Sequence, residues 1–552
     1  MKKKNAVRRL TKLALSVALL TTGTAQAGWL TAYGTPNNDM GKVTPSAQGG
    51  YYVTLLSTGS LSGFPGAMDT AGNPSNMLAG TTTKPAQLLS LLAADGTPLW
   101  TNKISTGAYD AFSATELADG RLLVQGTTQT KLTASGDAVW AVYQVNRTTG
   151  KLTPLFRNVY KGKGADYLFI NQDALGALWA QGTTTSFNTK GDTDMIVAKI
   201  DANTGAPEWS SVLNYAHNNA VAAFAPKDNQ FILVANAGNA GNWNVVIGLL
   251  DNHGLPVAGS FNKYGASGIN NAQGLKAIGN DNYLLYGTTT VNTSDSFGIP
   301  HKNSTVFVVK LDADLNIVWD KKYSVGQDAG FTITEVNENS DGSFTLNGSV
   351  NTMTYYTMQG FSVPLYALHP AAIQLSATGD ALFGKSFELN TMDPAFFFKN
   401  ADGTYSLSGQ TSKINLTNPT ANMSGDSDLL YGAFDADFAP SWVKTLGGTA
   451  IDSGSVKPIA GGYGLTGMSA SWGAGKLDVL VGELDGNGNI AGCEGIKDAV
   501  MTEKALTVSA DDLGWTPQAV KLVRKGAISK ANITQLNVST SPTITATPVC
   551  SD

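Results

Sequence analysis

Short apolar runs separated by clusters of Gly, Asp, Asn, Ser and Thr give the chain its pattern. One unit recurs as a turn, a short apolar run and a small residue: GRLLVQG (120–126), GALWAQG (176–182), DNYLLYG (281–287), GSFTLNG (342–348), GTYSLSG (403–409) and GGYGLTG (461–467). Weaker copies are GYYVTLL, ending at Leu56, and NQFILVA, ending at Ala235. From Gly126 to Gly467 the repeat length is about 57 residues, which suits a four-stranded antiparallel unit. A second element supports the same count. An apolar strand and a turn lead to Trp29, Trp100, Phe156, Trp209, Trp319, Phe383 or Trp442, with Val257 in a degenerate copy. Four residues on stands an apolar residue in every copy: Tyr33, Ile104, Tyr160, Leu213, Tyr323, Phe387, Leu446 or Phe261. Even spacing on a strand puts both on one face, so this strand is expected to pack against the next sheet.

The expected fold is all-β: an eight-bladed β-propeller over 28–492, with seven blades as the alternative. After the run at 478–484 the aromatic of the last repeat is missing. An orphan strand, Trp29-Leu30-Thr31-Ala32-Tyr33-Gly34, lies at the other end of the chain. The two ends are therefore expected to share one blade and remove the open sheet edges. Residues 493–552 read as a small C-terminal β appendage, closed by a disulfide between the two cysteines, Cys493 and Cys550.

Composition narrows the class. The chain has 552 residues, of which 42% are apolar and only 14% charged, with 61 glycines. That argues against a helical bundle or wholesale disorder. Lys2, Lys3, Lys4, Arg8, Arg9 and Lys12 precede the apolar run 13–20, and Ala25-Gln26-Ala27 supplies small residues for cleavage, so 1–27 read as a secretory signal peptide. Without those six cations the net charge falls from -5 to -11, which disfavours nucleic acid as a partner. No later run is long enough to span a bilayer. A secreted monomer, periplasmic or extracellular, is expected.

The repeats resemble those of secreted bacterial β-propellers with quinoprotein-like (PQQ-like) repeats, whose blades carry a D-x-x-x-G-x-x-x-W signature. Asp201-Ala202-Asn203-Thr204-Gly205-Ala206-Pro207-Glu208-Trp209 matches it, and 312–319 and 435–442 are one residue shorter. In the quinone-dependent dehydrogenases of that family the cofactor sits against an adjacent cysteine pair, which this chain lacks. The resemblance therefore points to the non-catalytic branch, such as the outer-membrane assembly propeller, and implies no cofactor.

Ten residues beyond the aromatic stand Asp39, Asp110, Asp166, Asn219, Asp393 or Asp452, with Asp328 at nine. These side chains could ring the channel mouth and bind calcium, or each could cap its own loop. Repetition in every blade is what the structural role predicts. The run Gly379-Asp380-Ala381-Leu382-Phe383-Gly384-Lys385-Ser386 fits a phosphate-binding loop literally, yet Phe383 and Phe387 hold repeat positions, so a turn entering an outer strand is expected. Asp485-Gly486-Asn487-Gly488-Asn489 reads as a hairpin turn. His217, His253, His301 and His369 have no zinc-like spacing, and no metal site is expected.

Loops following the second strand are long at 57–86, 288–304, 349–370 and 410–427, and all must emerge on one face. The third is rich in aromatics, and Tyr355, Tyr356, Phe361 and Tyr366 are the candidate ligand-binding residues. The alternative is that they pack the insertion onto its own blade. The expected function is a binding or assembly scaffold at the cell envelope or outside it, with a protein or glycan partner. The competing function is an extracellular enzyme acting on a polysaccharide or other polymer through carboxylates on that face, such as Asp426 or Asp428.

Overall fold

The computed structural model describes residues 28–58, 86–129, 136–160, 162–173, 176–187, 192–239, 241–265, 268–294, 300–326, 329–358, 361–389, 391, 393–412, 427–474, 477–528, 531–532, 537–540 and 544–551. Among the described residues every regular element is a strand. The signal-like segment 1–27, Asp328 and Asp426 lie outside them.

The strands pair as eight four-stranded antiparallel units, at 38–105, 109–160, 166–214, 218–264, 269–324, 329–388, 395–446 and 452–484. The last unit has only three strands of its own and takes Trp29–Gly34 as its fourth, with Tyr33 opposite Val479. Consecutive units touch, and the inner strand of unit 1 lies against unit 8, so the units form a closed propeller. Units 4 and 5 are further joined by a single parallel pair, Trp243 with Ile269.

Radial stacking explains why the third strand of each unit is apolar at nearly every position instead of alternating. In Asp194–Ile200, Met195 and Val197 enter the core shared with unit 4. Ile196, Ala198 and Ile200 enter the core shared with unit 2. Both faces of the sheet are buried, so both phases of the strand must be apolar.

The recurrent aromatics lock unit to unit. Trp29, Trp100, Trp319 and Trp442 donate their indole N–H to backbone carbonyls of Ala94, Arg147, Ala377 and Gly486 in the following unit, at 3.1 to 3.2 Å. Each ring lies on a glycine of that unit's last turn. At Gly254 the backbone is left-handed (φ 73°), and a Cβ there would sit 2.3 Å from Trp209. Only glycine meets both demands. Gly379, at the head of the phosphate-loop-like sequence, is such a turn residue beneath Trp319, and the strand Ala381–Glu388 follows it. The DGNGN segment is likewise a hairpin turn. Asp485 accepts the N–H groups of Asn487 and Asn489 at 2.8 Å, and Gly488 lies beneath Trp442.

Two junctions depart from this scheme. The turn residues that would face Val257 and Phe383 are Leu315 and Phe438, each non-glycine and left-handed (φ 65°) and each buried. They fill with their own side chains the space that a neighbour's ring fills elsewhere. Phe383 accordingly does not pack on the next unit as its repeat position suggests, and stays 37% exposed.

The C-terminal segment differs most from expectation. It is not a separate appendage but a belt. Its strands Ile496–Asp498, Thr502–Leu506, Ser509–Asp512, Gln518–Ala519, Val523–Gly526, Ala531–Asn532 and Asn537–Thr540 pair antiparallel with the outer strands of units 7, 6, 5, 4, 3, 2 and 1 in turn. The last, Thr545–Ser551, pairs with Trp29–Gly34 in unit 8. Every unit thus gains a fifth strand from one tail that runs round the whole ring against the order of the units. The physical reason is the row of unpaired backbone groups on each outer strand, which short polar strands can satisfy. Ion pairs fasten several of them, including Lys444 to Asp498 at 2.5 Å, Lys385 to Glu503 at 3.2 Å and Lys525 to Asp194 at 3.3 Å. The disulfide between Cys493 and Cys550 joins the two ends of the belt, with Cα atoms 5.1 Å apart.

Candidate functional site on the loop face

The connections from second to third strand and from one unit to the next emerge on the same end of the ring, and this loop face carries both groups of candidate residues. The recurrent Asp and Asn side chains lie where the chain enters each inner strand. Asp39, Asp166, Asn219, Asp393 and Asp452 are fully buried, and Asp110 is 1% exposed. Each accepts a backbone N–H from four residues earlier in its own loop: Asp110 from Thr106 at 2.8 Å, Asp166 from Gly162 and Asp452 from Gly448 at 3.0 Å, Asn219 from Tyr215 at 3.1 Å and Asp393 from Leu389 at 3.0 Å. Asp39 accepts from Thr35 in the same way. Hydroxyls on or just beyond the second strand complete the shell, as Ser186 does to Asp166 at 2.8 Å and Thr411 to Asp393 at 2.6 Å. These are loop caps, the structural role that repetition in every unit predicts.

Burial disfavours the charged form of these carboxyls. It pushes Asp39 up to about 6, with a smaller contribution from the nearby Asp478. It also raises Asp166 and Asp452, the latter with a lesser push from Asp428. Asn270 holds the equivalent place in unit 5, accepting from Thr289 and donating to the Trp243 carbonyl at 3.0 and 3.1 Å. The repeat arithmetic misses it because Val257 replaces the aromatic from which the count starts. Among the described residues no three His, Cys, Asp or Glu side chains cluster as a metal would require.

The aromatic insertion is an arm. In unit 6 the second and third strands, Phe344–Met358 and Phe361–Leu375, pair without a break from Phe344 with Leu375 to Met358 with Phe361. The inner strand Ala329–Glu338 stops pairing at Thr352, and the outer strand stops at Ala371. Six residue pairs, 353–358 with 361–366, therefore stand beyond the body of the unit, about 20 Å of two-stranded ladder. Unit 5 raises a shorter arm beside it, where 291–294 pair with 300–303 beyond the end of the inner strand.

Tyr355, Tyr356, Phe361 and Tyr366 all fall on this arm, where Tyr355 is paired with Pro364, Tyr356 with Val363, Met358 with Phe361 and Met353 with Tyr366. At the foot of the arm, buried His369 stands 3.4 Å from the Asp393 carboxylate. Most of the long loops 57–86 and 410–427 lies outside the described residues.

No family model and no curated protein matches the chain. Among solved structures, the polysaccharide lyase Uly1 is similar at a TM-score of 0.38 and 12% identity, over 68% of this chain and 90% of that one. A Trypanosoma rangeli sialidase in complex with sialic acid is similar at 0.26 and 9%, over 86% and 91%. An endo-1,5-alpha-L-arabinanase from Thermotoga petrophila is similar at 0.23 and 11%, over 82% and 99%. Likeness at these TM-scores carries no argument about activity, and the propeller assignment stands on the strand pairing itself.

Proposed function

We propose that this chain is a non-catalytic binding or assembly module acting at the cell envelope or outside it, and that it takes a protein partner through the arms on its loop face. The observation that carries this reading is the arm of unit 6, whose strands beyond Thr352 and Leu368 pair only with each other among the described residues. Such edges accept an extended segment by strand addition, and the arm's aromatic-rich sequence would supply selectivity. The recurrent acids are buried and cap loops, so they are not open to a substrate as a general acid or base must be. The disulfide suits an oxidising compartment.

The test replaces 353–366 by a two-residue turn and compares cross-linked envelope partners of the two proteins by mass spectrometry. A partner captured by the full chain and lost from the shortened one is expected. Stability should change by no more than about 1 kcal/mol, because the arm closes no core. Unchanged capture would remove the arm as the site. Turnover of a polysaccharide that disappears in Asp428→Asn would favour the enzyme instead.

A further inference from the structure

The inner strands carry a second set of charges that the loop face does not use. Lys42, on the inner strand of unit 1, and Lys457, on that of the adjoining unit 8, are both exposed. Neither has an ion pair or hydrogen-bonding partner among the described residues. Protein still surrounds Lys42 closely enough that burial, followed by the nearby Lys457 charge, lowers its pKa. Further round the wall, Lys276 of unit 5 lies 3.9 Å from Glu335 of unit 6, and the backbone N–H of Lys399 in unit 7 donates to the same carboxylate at 3.2 Å. Burial and then Lys276 lower the pKa of Lys399 as well. Lys42 and Lys457 thus stand unpaired among the described residues, whereas Lys276 and Lys399 share Glu335, in a chain whose charge without residues 1–27 is -11.

Like charges placed together without a counter-ion weaken a fold, so their grouping calls for an anion from outside. Inner strands of units 3 and 7 expose the rings of Phe169 at 47% and Phe398 at 41%, and those of units 3 and 5 the amides of Asn171 and Gln273. Amides donate and accept at once, as sugar hydroxyls require, and flat rings suit the apolar faces of pyranoses. A nucleic-acid backbone would need a denser row of cations than this wall provides. We propose that the central channel binds an acidic oligosaccharide, with its carboxylates held between Lys42 and Lys457. This site is separate from the arms and does not depend on them.

The experiment is calorimetric titration of the disulfide-intact chain 28–552 with hexagalacturonate, maltohexaose and a short single-stranded DNA. Hexagalacturonate should bind, with an affinity that falls as salt is added. Maltohexaose should bind at least about tenfold more weakly. The double variant Lys42→Met, Lys457→Met should weaken hexagalacturonate about tenfold while melting no lower than the parent, since it removes a repulsion. A structural role for the lysines would instead lower the melting temperature. Deleting 353–366 should leave hexagalacturonate binding intact, which separates this site from the arm. Absence of hexagalacturonate binding at low salt, parent-like binding by the double variant, or equally tight binding of DNA would each overturn the proposal.

Discussion

The junctions on the two sides of unit 4 pack the same space with different parts of the chain. Between units 3 and 4, Trp209 of one outer strand lies on Gly254 of the next turn. Between units 4 and 5 the outer strand offers Val257, and the facing turn carries buried Leu315 in place of glycine. The missing indole comes from the belt. Trp515 is 8% exposed, with its ring centroid 4.8 Å from Phe307 and 6.1 Å from Tyr264, in the same core as Leu315. A regular junction is therefore closed by neighbours in the repeat, and the irregular one by a distant part of the chain. The belt takes part in the core as well as covering edges.

The strongest way to break this comparison is to remove each indole. Trp29→Ala, at a regular junction, and Trp515→Ala, at the irregular one, should each cost about 3–5 kcal/mol in chemical denaturation, as buried aromatics do. A loss below about 1 kcal/mol for Trp515→Ala would reduce the belt to a wrapping.

Opening the belt comes next. Cys493 and Cys550 are 57 residues apart, and replacing both by Ser should cost about 4 kcal/mol in the chain-entropy view. Equal midpoints for the oxidised parent and the double Ser variant would show that strand pairing alone holds the tail.

A smaller effect is expected at the regular junction's turn. Gly254→Ala should cost about 1–3 kcal/mol, since its Cβ meets Trp209 in a left-handed backbone. Placing the same change on a Trp209→Ala background should recover part of that cost, and no recovery would mean that backbone strain alone is at work.

The smallest effect separates the acid caps from the amide caps. Asp39 has a folded pKa of about 6, above the value of the free side chain, so folding favours its protonated form. The stability linked to it is fully present below the unfolded pKa and is lost as pH rises through about 6. Acidifying from pH 7 to 5 should therefore add about 1 kcal/mol. Asp39→Asn, which copies the amide that Asn219 provides in unit 4, should flatten that slope. A slope unchanged in the variant would assign it to other groups.

Much of the ring was legible because its determinants are local and repeated. The glycine-bounded apolar runs mark second strands, and the aromatic with its partner four residues on marks outer strands. Tyr33 and Tyr323 even use their hydroxyls alike, each donating to a glycine carbonyl of the next unit. The capping role of the acids was legible for the same reason, since each cap and the N–H that it accepts lie four residues apart. The arm was less so. Its aromatic content marks 349–370 as unusual, but composition does not say whether such a segment folds back as a loop or rises as a ladder. Unbroken pairing from Thr352 with Ala367 out to Met358 with Phe361 decides that.

The sequence by itself determined the all-β class, the repeated unit, closure by Trp29–Gly34 and the partnership of the only two cysteines, because each rests on periodicity or on a count. Only the tertiary structure decided where the tail goes. Its strands are as short as two residues and carry no repeat that would mark them as parts of a sheet. What specifies them is the line of backbone edges on the outer strands and the space beside Leu315, both formed by residues far from the tail in the chain.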